Sequence, residues 1–155
     1  MKFVFLFLGR TAEKYLEEGI SDYAGRLGRF VQVEIVVLRE KAAKSLPPDQ
    51  FRQQEARQLL ERCAGASYVV ALDGGGRQLD SPALAEQLGR IEDAGHRHVF
   101  FLIGGHLGLH AEVLQRADLV LSLSRLTFTH EMARLLLLEQ LYRAWMIKSG
   151  RNYHN

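Results

Sequence analysis

Short apolar runs alternate with longer amphipathic stretches along the chain, and this alternation limits the possible folds more than any other feature. The runs at residues 2–8, 31–38, 68–72, 98–103 and 119–123 have the length and the Val, Leu, Ile and Phe content of buried strands. The stretches at 12–27, 49–63, 82–92, 110–116 and 131–148 carry their apolar residues at helical spacing. Pro48 before Asp49, and Ser81 before Pro82, are helix-start chemistry, because a capping side chain accepts an orphan N–H and proline in the first turn sacrifices none. The alternation predicts an α/β protein with a mainly parallel sheet and helices on both faces. With 155 residues, 47% of them hydrophobic, and no linker-like segment, a single domain spanning 1–155 is expected.

Several function classes are excluded at this level. A formal charge of +2 is far from the balance of a protein that binds nucleic acid by charge alone, so any RNA contact must be local. The opening "MKFVFLFLGR" lacks a small-residue cleavage site and runs directly into "TAEKYLEEG", which reads as a first strand rather than a secretion signal. No stretch has the length of a membrane span, and a reducing cytoplasm is the expected location. Cys63 is the only cysteine, and it reads as a small buried residue at a helix end rather than a nucleophile. "THEMAR" lacks the second histidine of a zincin helix, so no metal is expected. P-loop, dinucleotide-binding and nucleophile-elbow motifs are likewise missing.

In parallel sheets, ligands sit outside the carboxyl ends of the strands. That directs attention to "LDGGGRQLDS" after the third strand, "IGGHLGLH" after the fourth and "LSRLTFTHE" after the fifth. The last helix carries a second signal. Glu139, Gln140 and Arg143 form a narrow polar stripe, while Leu135 to Leu138, Leu141, Tyr142, Trp145, Met146 and Ile147 cover the remaining circumference. That is more apolar surface than one sheet contact absorbs, and it predicts a second subunit. Arg143 has two readings, an ion pair with Glu139 or a place in a shared active site.

The words "FLIGGHLGL", "ALDGGGRQLDS" and "LSLSRLTFTHEMARLLLLEQLYRAWMIKSGRNYH", together with the length and layout, resemble the ribosomal RNA large subunit methyltransferase H family of the SPOUT superfamily of α/β-knot methyltransferases. The resemblance covers the whole chain. It implies S-adenosylmethionine as cofactor, methylation at N3 of a pseudouridine in 23S rRNA of the assembled 70S ribosome, a homodimer, and a C-terminal trefoil knot. Ordinary topology rules would not propose that knot.

Carried over residue by residue, the family's cofactor contacts fall on Leu72, Gly104, Leu123, Ser124, Arg125, Leu126, Thr127 and Phe128, with adenine between Leu72 and Leu126 and small Gly104 leaving room for it. The catalytic candidates are Arg143, Tyr153 and His154. Methylating N3 requires loss of a ring proton, because a neutral imide is a poor nucleophile. We assign Arg143 to the developing negative charge, His154 to proton removal or substrate placement, and Tyr153 to stacking or hydrogen bonding. His106, Leu107 and Thr129 stand where the family commonly has proline, an acidic residue and proline, which predicts less rigid loops. An RNA-binding module without catalysis and a tRNA methyltransferase of the same fold are the competing readings. The first does not need these loops together with Arg143 and the Tyr-His end, and the second usually carries an added RNA-binding domain.

Overall fold

Each predicted strand forms. The computed structural model describes residues 1–152; Tyr153, His154 and Asn155 lie outside the described residues. The strands are β1 (Lys2–Leu8), β2 (Gln32–Leu38), β3 (Tyr68–Gln78), β4 (His98–Ile103) and β5 (Leu119–Ser122). Between and after them come α1 (Lys14–Leu27), α2 (Pro48–Arg62), α3 (Ser81–Asp93), α4 (Ala111–Arg116) and α5 (His130–Lys148). All pairings are parallel, in the order β2-β1-β4-β3-β5. Every carboxyl end therefore opens on one edge, and the loops after β3, β4 and β5 become neighbours there.

The side-chain period of two divides β1 between two cores. Phe3, Phe5 and Phe7 point to the face covered by α1, α3 and α5, where they meet Leu88, Ile91, Leu137, Leu138, Leu141 and Trp145. Val4, Leu6 and Leu8 point to the opposite face, against Ala56, Leu59 and Cys63 of the α2 segment and Val113 of α4. Burying each large side chain contributes about 1.5–3 kcal/mol, and β1, an interior strand covered on both faces, carries no polar residue after Lys2. Cys63 is 1% exposed and burial pushes its thiol up, in keeping with a packing role.

Three expectations need correction. The third strand does not end at Leu72: it pairs with β5 through Leu72, bulges out over residues 73–76, and pairs again at Arg77 and Gln78. The glycines of "LDGGGRQ" therefore lie inside a strand rather than in a loop beyond it, and a side-chain carbon on Gly76 would lie 2.6 Å from the Val120 carbonyl oxygen. Helix α3 is capped by Asp80, whose carboxylate accepts the Ala83 N–H at 2.8 Å, instead of by Ser81. Leu138, Leu141 and Trp145, expected to need a partner subunit for cover, are buried within the chain. The half-exposed side of α5 is a different stripe, comprising Met132, Leu136, Arg143 and Met146, continued by exposed Ile147.

Arg134, which the sequence reading passed over, is fully buried in α5. It donates to the Leu8 carbonyl at 2.8 Å and the Thr11 hydroxyl at 3.0 Å, and its guanidinium lies 4.7 Å from the Phe7 ring centre. Those bonds reach the end of β1, one residue beyond its last rung with β4 at Phe7 and Ile103. Arg134→Ala would leave the carbonyl unpaired and open a cavity, so a loss on the order of 3 kcal/mol is expected. Urea unfolding with an unchanged slope and a lowered midpoint is the check. An unchanged midpoint would show that the guanidinium holds nothing.

Candidate active site

Leu72 stands at the point where β3 leaves its first pairing with β5, so its side chain faces the gap opened by the bulge. The turn after β4 closes on itself through a Gly105–Gly108 bridge, with the Gly108 N–H on the Gly105 carbonyl at 3.1 Å and Gly108 at φ +79°. Beyond β5, buried Ser122 donates to the Ser124 carbonyl at 3.0 Å, and the Ser124 hydroxyl accepts the Leu126 N–H at 3.0 Å. These two serine bonds bend residues 123–126 into a turn that leaves Leu126 74% exposed. Thr129, where the family commonly has proline, caps α5 by accepting the Met132 N–H at 3.2 Å. Glu131, one residue into α5, accepts the backbone N–H groups of Ala12 and Glu13 and so ties the entry of α1 to the start of α5.

Together these segments enclose a cavity of about 830 Å³. Leu72, Gly104, Leu123, Ser124, Arg125, Leu126, Thr127 and Phe128 all line it, joined by Asp73, Gly105, His106, Tyr15, His130 and Glu131 among others. His130 and Glu131 end the third strand-end loop picked out in the sequence, whereas Tyr15 of α1 had no such signal. Burial, and then the Arg134 guanidinium, press His130 below the usual histidine range.

Gly104 serves a different purpose from the one expected. Its missing side chain would point into the turn, 2.7 Å from the carbonyl carbon of Gly108 and 2.8 Å from its oxygen. It is glycine so that the chain can fold back on itself, and the room left is occupied by backbone.

Arg143 is not in the cavity. It lies 13 residues along α5 from His130, roughly 20 Å at the helical rise. It faces a shallower depression with Ser81, Ile147, Gly150, Arg151 and Asn152. Its guanidinium holds Glu139 at 2.7 and 3.1 Å, the ion-pair reading of the sequence. Glu139 also accepts from Gln140 at 2.6 Å, and Gln140 accepts from Ser81 at 2.7 Å, so the polar stripe is a connected chain. Tyr153 and His154 lie outside the described residues.

Glu55 is a further residue left unflagged in reading the sequence. It is 3% exposed on α2, and neither carboxylate oxygen has a hydrogen-bond partner among the described residues. Burial, then the charge of Glu40, push its carboxyl up to about 7. Its signal in the sequence is a charged residue between Phe51 and Leu59 at helical spacing, on the stripe that should be apolar; Arg134 interrupts the Leu face of α5 in the same way. Because the folded protein holds the Glu55 proton more tightly, that contribution to stability is full below pH 4.5 and is lost as pH rises through about 7.

An all-parallel sheet with a cavity floored by three carboxyl-end loops is an α/β fold with its ligand site at the carboxyl edge, and solved structures share that fold. A probable methylase family protein from Haemophilus influenzae superposes with a TM-score of 0.56 at 15% identity, covering 99% of this chain and 71% of that one. A probable methyltransferase from Bordetella pertussis gives 0.56 at 16%, covering 92% and 94%. At such identity the likeness concerns the fold alone. The chain belongs to the SPOUT methyltransferases and, among them, to the ribosomal RNA large subunit methyltransferase H family: the family model described as "Predicted SPOUT methyltransferase" matches residues 1–154. A protein named ribosomal RNA large subunit methyltransferase H from Desulfotalea psychrophila is 46% identical over 154 residues, covering 99% of each chain. The protein of that name from Syntrophotalea carbinolica is 44% identical over 155 residues, covering 100% of this chain and 99% of its own.

The protein is therefore a methyltransferase whose cofactor is S-adenosylmethionine. The cavity suits that group. Its volume falls in the ordinary range for small-ligand sites, and Leu72, Ile103, Leu121 and Leu126 offer apolar walls to a flat purine. Asp73, Glu13 and Glu131 put carboxylates around a ligand that carries positive charge. Among the described residues no helix is long and apolar enough to cross a membrane, and no group of three or more His, Cys, Asp or Glu could hold a metal ion.

Proposed function

We propose that this protein methylates N3 of a pseudouridine in 23S rRNA, in the stem-loop at the subunit interface of the assembled 70S ribosome, as a cytoplasmic homodimer of single-domain chains with knotted C-termini. The convergence of Leu72, Gly104 and residues 123–128 on one carboxyl-edge cavity carries this reading, because these are the positions at which the family's cofactor contacts are expected. The printed names of the full-length relatives support the RNA of the large ribosomal subunit as substrate.

S-adenosylmethionine supplies a methyl group made electrophilic by its sulfonium. Leu72, Leu126 and the turn backbones would hold the purine, and the apolar walls would exclude water. The N3 proton must leave before the nitrogen attacks, and the ring then carries negative charge. Arg143 is the cation for that charge and His154 the proton acceptor or placing group, with Tyr153 packing on or hydrogen-bonding to the base. Arg143 faces away from the cavity of its own chain, on the half-exposed stripe of α5. A second copy docked on that stripe would bring its Arg143 and tail to the first copy's cavity, and would cover Met132, Leu136, Met146 and Ile147 at the same time.

The test is methyl transfer from labelled S-adenosylmethionine to assembled ribosomes, free large subunits and tRNA, followed by nucleoside mass spectrometry. A 3-methylpseudouridine product from assembled ribosomes is expected. Product on tRNA, or product on free subunits at an equal rate, would overturn the substrate assignment.

A further inference from the structure

The turn that floors the cavity from the β4 side is backed by the first half of α2. Phe51 packs edge-on against His106 with ring centres 5.5 Å apart, and the His110 Nε2 lies 3.7 Å from Asp49. One turn further along the helix, Glu55 meets Gly105 so closely that a side-chain carbon there would stand 3.0 Å from the Glu55 Oε2. Gly105 thus has the cavity on one side and a buried, unpartnered carboxyl on the other. A buried polar atom left without a partner is rare and costly, and it calls for an explanation.

We propose that Glu55 is a positioning residue for the 104–108 turn: the neutral carboxyl lets the turn lie flat against α2 with Gly104 and Gly105 lining the cavity, and the ionised carboxylate displaces it. The proposal rests on the reading of this cavity as the S-adenosylmethionine site. Among the described residues, none of the charged groups around this corner is hydrogen-bonded to the carboxylate. Glu40, after β2, repels it. Arg52, one turn earlier on α2, holds Asp49 through one terminal nitrogen at 3.1 Å and keeps its Nε buried without a hydrogen-bond partner among the described residues, and the Gln58 side-chain amide donates to the Arg39 carbonyl at 2.8 Å. Arg134 and His130 on α5 also feel Glu40, and the two terminal nitrogens of Arg134 are directed to Thr11 and Leu8. Among the described residues no lysine or arginine forms an ion pair with Glu55. An ionised Glu55 must reach water, and the thin layer between it and the open cavity is the backbone of Gly105. The absence of a side chain at Gly105 is what allows the acid to lie against that backbone. With the neutral form favoured up to about pH 7, the switch falls in the physiological range.

The affinity for S-adenosylhomocysteine, measured by calorimetry from pH 6 to pH 9, tests this. The wild-type protein is expected to bind with constant affinity near pH 6 and to weaken toward tenfold per pH unit above about 7. Glu55→Gln, which cannot ionise, should bind with much less dependence on pH. A wild-type affinity that does not change with pH, or an equal slope in the variant, would overturn the proposal while leaving the cofactor site intact. Absence of binding at pH 6 would overturn the site itself. Should the variant fail to fold, carbon NMR titration of the wild-type Glu55 carboxyl decides the matter: its pKa must rise when S-adenosylhomocysteine binds, and an unchanged value defeats the proposal.

Discussion

Arg143→Ala is expected to lower methyl transfer to ribosomes by roughly a hundred-fold or more, the scale on which a single electrostatic contact to a developing anion acts. Affinity for S-adenosylhomocysteine should change little, because Arg143 lies outside the cavity of its own chain. The ion pair that is lost with it is partly exposed and joins residues four apart on one helix, so stability should fall by less than about 1 kcal/mol. The informative experiment mixes this variant with one defective in cofactor binding. If each site joins the cavity of one chain to the Arg143 of the other, heterodimers contain one site with both defects and one with neither. An equal mixture then recovers roughly a quarter of wild-type activity, since half the dimers are mixed and each has one intact site. Verified heterodimers without rescue would sink the shared site, and a stable, active monomer in sedimentation would sink the dimer.

Gly104→Ala is the suitable cofactor-binding partner for that mixture, and a single methyl group is expected to weaken S-adenosylhomocysteine binding at least tenfold. The added carbon would sit 2.7 Å from the Gly108 carbonyl carbon, and backbone cannot rotate away as a side-chain tip can. The turn must open, taking Gly105 and His106 out of the cavity lining. Calorimetry measures the affinity, and amide exchange over residues 104–110 should show the loosened turn even without ligand. Unchanged affinity together with unchanged exchange would mean that the turn tolerates the methyl group and that its tight closure has no bearing on the site.

Much of the architecture was legible because strand and helix periods depend on local spacing. The extents of β1 and β4 match their apolar runs to the residue, and α5 begins one residue before the predicted start. The carboxyl-edge loops could be named for the same reason, since parallel strands leave their loops on a common edge. Reading β3 failed where three glycines looked like a loop: whether such a segment rejoins a ladder depends on β5, more than forty residues later, whose Leu121 faces both Leu72 and Arg77. The purpose of Gly104 was misread likewise. A glycine signals a close approach without saying to what, and here the neighbour is the chain's own Gly108.

Charged residues mark the boundary most clearly. Arg134 and Glu55 could be flagged by position, each interrupting an apolar helical stripe, but their consequences could not. Arg134 is tolerated at 0% exposure because the end of β1 offers the Leu8 carbonyl, whereas no hydrogen-bond donor among the described residues meets Glu55. The consequence of burying a charge is set by groups brought up from distant parts of the chain, here 126 positions away in one case and absent among the described residues in the other. Periodicity and turn chemistry, which act between near neighbours, therefore settled the elements, their order and the edge where a ligand would sit. Tertiary packing alone decided that Leu138, Leu141 and Trp145 are covered within one chain, that Arg143 turns away from its own cavity, and that an unpaired acid lies behind the glycine turn, because desolvation and Coulomb interaction depend on distances in space.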